Sequence, residues 1–121
     1  MLFAFGCASK TTTVKNDAVI SFAETQHDFG TIVANKPVDY RFEFSNPGKT
    51  PLIINDVVTS CGCTAADWTK TVVMPGGKGF ISVRFDAVAF GLFNKSITVN
   101  FNGIDSPAHL SIKGSVKSED E

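Results

Sequence analysis

Apolar and polar residues alternate with a period of two over several short stretches of this chain. In residues 38–45, Val38, Tyr40, Phe42 and Phe44 interleave with Asp39, Arg41, Glu43 and Ser45. Successive side chains of an extended strand point to opposite faces, so this pattern predicts a strand with one dry and one wet side. The pattern returns at residues 81–86, 97–101 and 110–116. Turn-forming groups separate these runs: Asn35-Lys36-Pro37, Asn46-Pro47-Gly48, Pro75-Gly76-Gly77 and Asn102-Gly103. Shorter apolar stretches at 20–22, 29–33, 52–59 and 71–74 bring the expected count to about seven or eight strands at regular spacing. Helical periodicity is nowhere sustained. The pattern predicts an all-β chain, an antiparallel immunoglobulin-like sandwich, with a small closed barrel as the alternative. Phe42, Phe44, Phe85 and Phe101 fall on the inward parity and are assigned to the core.

Composition agrees with a single folded unit. The chain has 121 residues, 43% of them hydrophobic, with 11 Phe and only 19% charged residues. That is enough apolar surface to offset the chain entropy of one domain, and too short a chain for two. Boundaries are expected at residues 18 and 117. Residues 8–17 are Thr-, Lys- and Asn-rich with little to bury and suit a flexible tether, and residues 118–121 form an acidic tail. The formal net charge is −1, and the basic residues are scattered singly. Nucleic acid, which calls for a basic stripe, is therefore not an expected partner.

The three cysteines divide unevenly. Cys7 ends the apolar or small run Met1-Leu2-Phe3-Ala4-Phe5-Gly6 and precedes Ala8-Ser9-Lys10. This looks like the end of a bacterial lipoprotein signal, in which the Cys is acylated and becomes the mature N-terminus. Residues 1–7 would then be a signal remnant and the protein an exported, membrane-anchored lipoprotein of the cell envelope. Ala4 and Phe5 depart from the usual signal, and a basic leading segment is missing. The rival is a frayed apolar N-terminus with an ordinary Cys. Cys61 and Cys63 remain, one glycine apart, where the apolar run through Val57 and Val58 gives way to a polar segment.

Several motifs in order resemble one family. They are His27-Asp28-Phe29-Gly30-Thr31-Ile32, Phe42-Glu43-Phe44-Ser45-Asn46-Pro47-Gly48, Pro51-Leu52-Ile53-Ile54, Ser60-Cys61-Gly62-Cys63-Thr64, Pro75-Gly76-Gly77, and Leu110-Ser111-Ile112-Lys113-Gly114-Ser115-Val116. Together they resemble the bacterial domain of unknown function 1573 family over nearly the whole domain. The resemblance implies an immunoglobulin-like sandwich, similar to the ASPM, SPD-2 and Hydin type, in exported proteins or lipoproteins, many from Bacteroidetes. It implies no activity. Asn35-Lys36-Pro37 departs from the family, which leads one to expect a glycine in that turn.

Cys61 and Cys63 are the residues on which chemistry could rest, and three fates are open. On an extended chain both sulfurs would face one side, with Cα atoms at or past the upper edge of disulfide range, so a bridge requires Gly62 to bend. Two thiolates would suit copper(I), whereas zinc would need His27, His109 or a carboxylate as well. Otherwise both thiols are inert, one buried and one in a loop. His27 and Asp28 are strand neighbours pointing apart, which favours a turn at Asp28-Phe29-Gly30 over a base and its orienter. His109 is placed on the surface. No strained nucleophile elbow or phosphate loop is present, so no catalytic residue, no resident cofactor and no small-molecule substrate are expected. Phe80, Phe90 and Phe93 flank Gly79 and Gly91. They either form an exposed patch for a protein partner or cap the open end of the sandwich. The expectation is a non-enzymatic envelope module contacting another protein or a glycan, with a thiol-dependent copper or redox role as the alternative.

Overall fold

The computed structural model describes residues 17–119. Eight strands and no helix occur among them: β1 (Ser21–Phe22), β2 (Gln26–Val33), β3 (Val38–Ser45), β4 (Ile54–Thr59), β5 (Thr64–Trp68), β6 (Lys78–Phe85), β7 (Gly91–Phe101) and β8 (Ala108–Lys117). They form two four-stranded sheets, in the order β1-β3-β6-β5 and β2-β8-β7-β4. The expected sandwich is therefore the observed one.

Alternation drives the packing. Phe42 and Phe44 of β3, Ile81, Val83 and Phe85 of β6, Ile97, Val99 and Phe101 of β7, and Leu110 and Ile112 of β8 all point between the sheets and are buried. Each such side chain contributes about 1.5–3 kcal/mol relative to exposure. Their polar neighbours, such as Arg41, Arg84 and Asn94, face water.

Three features differ from the sequence expectation. β2 pairs with β8 in parallel, Gln26 opposite Ser111 and Val33 opposite Lys117, so the second sheet is mixed. A parallel pair needs a long crossover, and here the rest of the domain supplies it. β5 was not expected, because Ala65, Ala66 and Asp67 carry little hydrophobic contrast; its pairing with β6, from Thr64↔Phe85 to Trp68↔Ile81, makes it a strand. Conversely, residues 71–74 form only an isolated bridge, Leu52 to Val73.

The Asp28-Phe29-Gly30 turn is a bulge inside β2. The Gly30 N–H donates to Asp28 Oδ1 at 2.8 Å, Gly30 has φ +72°, and the register with β8 shifts between Asp28 and Thr31. Asn35 adopts φ +64°, taking the left-handed conformation expected of a glycine; Asn tolerates it better than most residues.

Candidate functional site

Residues 60–63 connect β4 of one sheet to β5 of the other. The connection is a tight turn in which the Thr64 N–H donates to the Cys61 carbonyl at 3.3 Å. The chain therefore bends at Gly62 and is not extended there. Folding back brings the Cys61 and Cys63 Cα atoms to 5.4 Å, and the two sulfurs are joined as a disulfide. Of the three fates open in the sequence, the structure has the bridge. Gly62 is exposed, with nothing within 4 Å of where a Cβ would sit.

Neighbouring strands hold the turn. Thr59 Oγ1 donates to the carbonyls of Cys61 and Thr64 at 3.2 and 3.0 Å. The Asp86 N–H donates to the Cys63 carbonyl at 3.0 Å, and Ser60 and Ser96 exchange bonds across β4 and β7 at 3.0 Å each. Both cysteines are half-buried, and Cys63 packs against the core. The Cys63 N–H points at the Cys61 sulfur, 3.2 Å away.

Beside the bridge lies a hollow of about 350 Å³, lined by Cys63, Val88, Phe90, Leu92, Phe93 and Lys95, among others. Its walls include three apolar side chains left in water: Val88 is 60% exposed, Phe90 69% and Leu92 89%. Scattered exposed apolar residues are ordinary, but three within five positions around one concavity form a patch. The loop that carries it is anchored. Ala87 is fully buried at φ +58° and its carbonyl accepts the Asn35 N–H at 2.9 Å, while the Val88 N–H donates to Asp86 Oδ1 at 3.2 Å. A left-handed alanine costs about 1–2 kcal/mol, so its surroundings must hold it there.

The structure separates the three phenylalanines assigned to a patch. Phe90 is exposed on the hollow. Phe93 points inward from β7, is only 8% exposed, and stacks on Phe85 at 4.2 Å between centroids, so it floors the hollow. Phe80 lies on the outer face of β6, five residues from Phe85 along that strand, with the Arg41 guanidinium 4.0 Å above its ring. It belongs to neither the patch nor a cap on this end. The sequence reading missed Val88, Leu92 and Lys95, although parity marks two of them. Leu92 shares the outward face with Asn94 and Ser96, and Lys95 is a cation on the inward parity between Phe93 and Ile97.

The histidines do not join the cysteines. His27, on β2, stacks on Tyr40 across the sandwich at 3.7 Å and 10°. It thus lies at the opposite edge from β4 and β5. His109 is exposed on β8 opposite Thr98. Among the described residues, no three His, Cys, Asp or Glu side chains gather as a metal site. Copper(I) would require thiolates, which the bridged pair does not offer. Nearby, Tyr40 donates to Glu24 Oε1 at 2.6 Å. That bond, with burial adding to it, raises the Tyr40 pKa above the usual tyrosine value. Cys7 lies outside the described residues.

The sandwich has solved relatives. A protein of unknown function from Porphyromonas gingivalis W83 is 20% identical with TM-score 0.74, the match covering 86% of this chain and 49% of that one. This chain thus spans about half the length of that structure. The PapD-like domain 7 of human CEP192 is 10% identical with TM-score 0.70, over 96% and 97% of the two chains. The VesB protease of Vibrio cholerae is 13% identical with TM-score 0.63, over 85% of this chain and 32% of that one. At such identities the likeness is one of fold. None of the curated proteins matches the chain. The family model described as protein of unknown function, DUF1573, matches residues 20–116, and the chain belongs to that family.

Proposed function

We propose that this chain is a non-enzymatic module of the bacterial cell envelope that binds another protein through the apolar hollow beside the Cys61–Cys63 bridge. The observation that carries this reading is the outward display of Val88 and Phe90 on a loop anchored at Ala87, with Leu92 beside them at the start of β7. The side chains of Val88, Phe90 and Leu92 carry no hydrogen-bonding group, so they suit an apolar protein segment better than a glycan, whose hydroxyls ask for hydrogen-bonding partners. A disulfide persists in an oxidising compartment, which supports export, and acylation of Cys7 would anchor the module. In VesC, a secreted serine protease of Vibrio cholerae, the same fold accounts for 23% of the chain. The fold thus occurs there as one part of a longer chain, which supports a module reading.

The experiment places a photo-crosslinking amino acid at Leu92, at Phe90 and, as comparison, at His109 in the full-length protein in living bacteria. Discrete adducts from Leu92 and Phe90, absent from His109 and lost on Val88→Asp, are the expected result. Equal adducts from all three positions, or none, would sink the reading. Metabolic labelling with a fatty acid, lost in Cys7→Ser, is the expected outcome for the anchor.

A second reading, thiol-dependent chemistry at Cys61 and Cys63, is favoured by one specific observation: the bridge opens onto the hollow through Cys63. A bridge closing three residues removes little chain entropy, about half of what a 15-residue loop does. A purely stabilising role therefore gives weak reason for it.

A further inference from the structure

We propose that the Cys61–Cys63 bridge is a directional thiol–disulfide exchange site, in which a partner protein's thiolate attacks Cys63 Sγ from the hollow and Cys61 departs as the thiolate. This rests on the second reading above and adds to it the direction of attack and the class of substrate.

Two observations set the direction. Cys63 lines the hollow and Cys61 does not. A nucleophile held in the hollow therefore meets Cys63 and not Cys61. The second observation concerns the leaving sulfur. Cys61 Sγ accepts the Cys63 N–H at 3.2 Å. A donor of this kind binds a thiolate more strongly than a bridged sulfur, so it lowers the barrier for charge to collect on Cys61. Thr64 Oγ1 lies 3.9 Å from both sulfurs and does not discriminate between them.

The surroundings suit the reaction. Lys95, a cation on the inward parity of β7, lines the same hollow and draws an anionic nucleophile. Its walls of Val88, Phe90 and Leu92 favour a thiol flanked by apolar side chains. The turn does not depend on the bridge alone, because the Thr64 to Cys61 and Asp86 to Cys63 backbone bonds, at 3.3 and 3.0 Å, hold it. Neither of these bonds involves a sulfur, so opening the bridge does not itself break them.

The step balances without any further oxidant. The partner's sulfur forms a bond to Cys63 Sγ as the Cys61–Cys63 bond breaks, and the electron pair of that bond goes to Cys61, which takes a proton from water. A second thiol of the partner then attacks the partner's own sulfur in the mixed disulfide and releases Cys63 as a thiolate, which is protonated in turn. The partner dithiol is oxidised by two electrons to a disulfide, and this chain is reduced to two thiols.

The test exposes the full chain to reduced glutathione, quenches with acid, alkylates the remaining thiols, and locates each group by peptide fragmentation between Cys61 and Cys63. Glutathione on Cys63 with the alkyl group on Cys61 should exceed the reverse by about tenfold or more, the effect of one hydrogen bond to a charged sulfur. In the reduced protein, Cys61 should alkylate at lower pH than Cys63. A cysteine peptide with leucines beside its thiol should react faster than glutathione. Adducts mainly on Cys61, an even split, or no preference for the apolar peptide would overturn the proposal. A complete failure to exchange would remove the second reading with it and leave the crosslinking reading standing.

Discussion

The two ends of the sandwich are closed by different chemistry. At the end where β3 and β7 finish, two buried asparagines tie the loops together. Asn46 Nδ2 donates to the carbonyls of Thr50 and Val73 at 2.9 and 3.0 Å, and its Oδ1 accepts the Gly48 N–H at 3.0 Å. Asn102 Oδ1 accepts the Ile53 N–H at 2.8 Å and its Nδ2 donates to the Pro51 carbonyl at 3.0 Å. At the other end stand a disulfide across a three-residue turn and a hollow rimmed by exposed Val88, Phe90 and Leu92. A carboxamide offers two donors and an acceptor in one plane, so it can satisfy several loop carbonyls and amides at once. A short-loop disulfide constrains only its own turn. The first end is thus built to stay shut, and the second keeps apolar surface available at modest cost to the fold.

Asn46→Ala should have the largest effect. It removes three hydrogen bonds at a fully buried side chain, leaving the Thr50 carbonyl and the Gly48 amide without that partner while the Val73 carbonyl keeps the Leu52 N–H, and should cost about 3 kcal/mol. The denaturant midpoint should fall with the slope unchanged. A cost under about 0.5 kcal/mol would break the comparison. The Cys61→Ser/Cys63→Ser double variant should lose about 1.5 kcal/mol in the same assay and keep its β-sheet circular dichroism. A loss equal to that of Asn46→Ala would make the bridge a staple of the whole fold. Leu92→Ser should change stability by no more than about 0.5 kcal/mol, because the side chain is already in water. A larger loss would mean that Leu92 packs.

The smallest effect lies outside both ends. Tyr40 is the chain's single tyrosine, so its phenolate absorbance reports one group. Glu24→Gln should bring its titration down toward the usual value of about 10, since the hydrogen bond to Glu24 is the largest cause of the rise. The phenol is held protonated in the folded state. Its contribution to stability is therefore present below the unfolded value and is lost as pH rises from there through the folded one. An unchanged titration curve in Glu24→Gln would assign the shift to burial instead.

The sequence by itself determined the strands that alternate strongly. Residues 38–45, 81–86 and 97–101 lie within β3, β6 and β7 or overrun them by one residue, and Phe42, Phe44, Phe85 and Phe101 are buried as parity required. Parity is a local property of an extended backbone, so neighbours in sequence suffice to read it. Family membership was legible for the same reason, because its motifs are runs of adjacent residues. Tertiary structure decided the rest. Ala65 and Ala66 became a strand because β6 was there to pair with, and β2 ran parallel to β8 because the chain returned beside it. Spacing left the cysteines a choice of three fates. The bend at Gly62, held by Thr59 and Asp86, brought the sulfurs within bonding range. Phe80 and Phe93 differ from Phe90 only in what covers them: a guanidinium, a facing ring, and water. Coverage depends on residues far away in the chain, and no local pattern carries it.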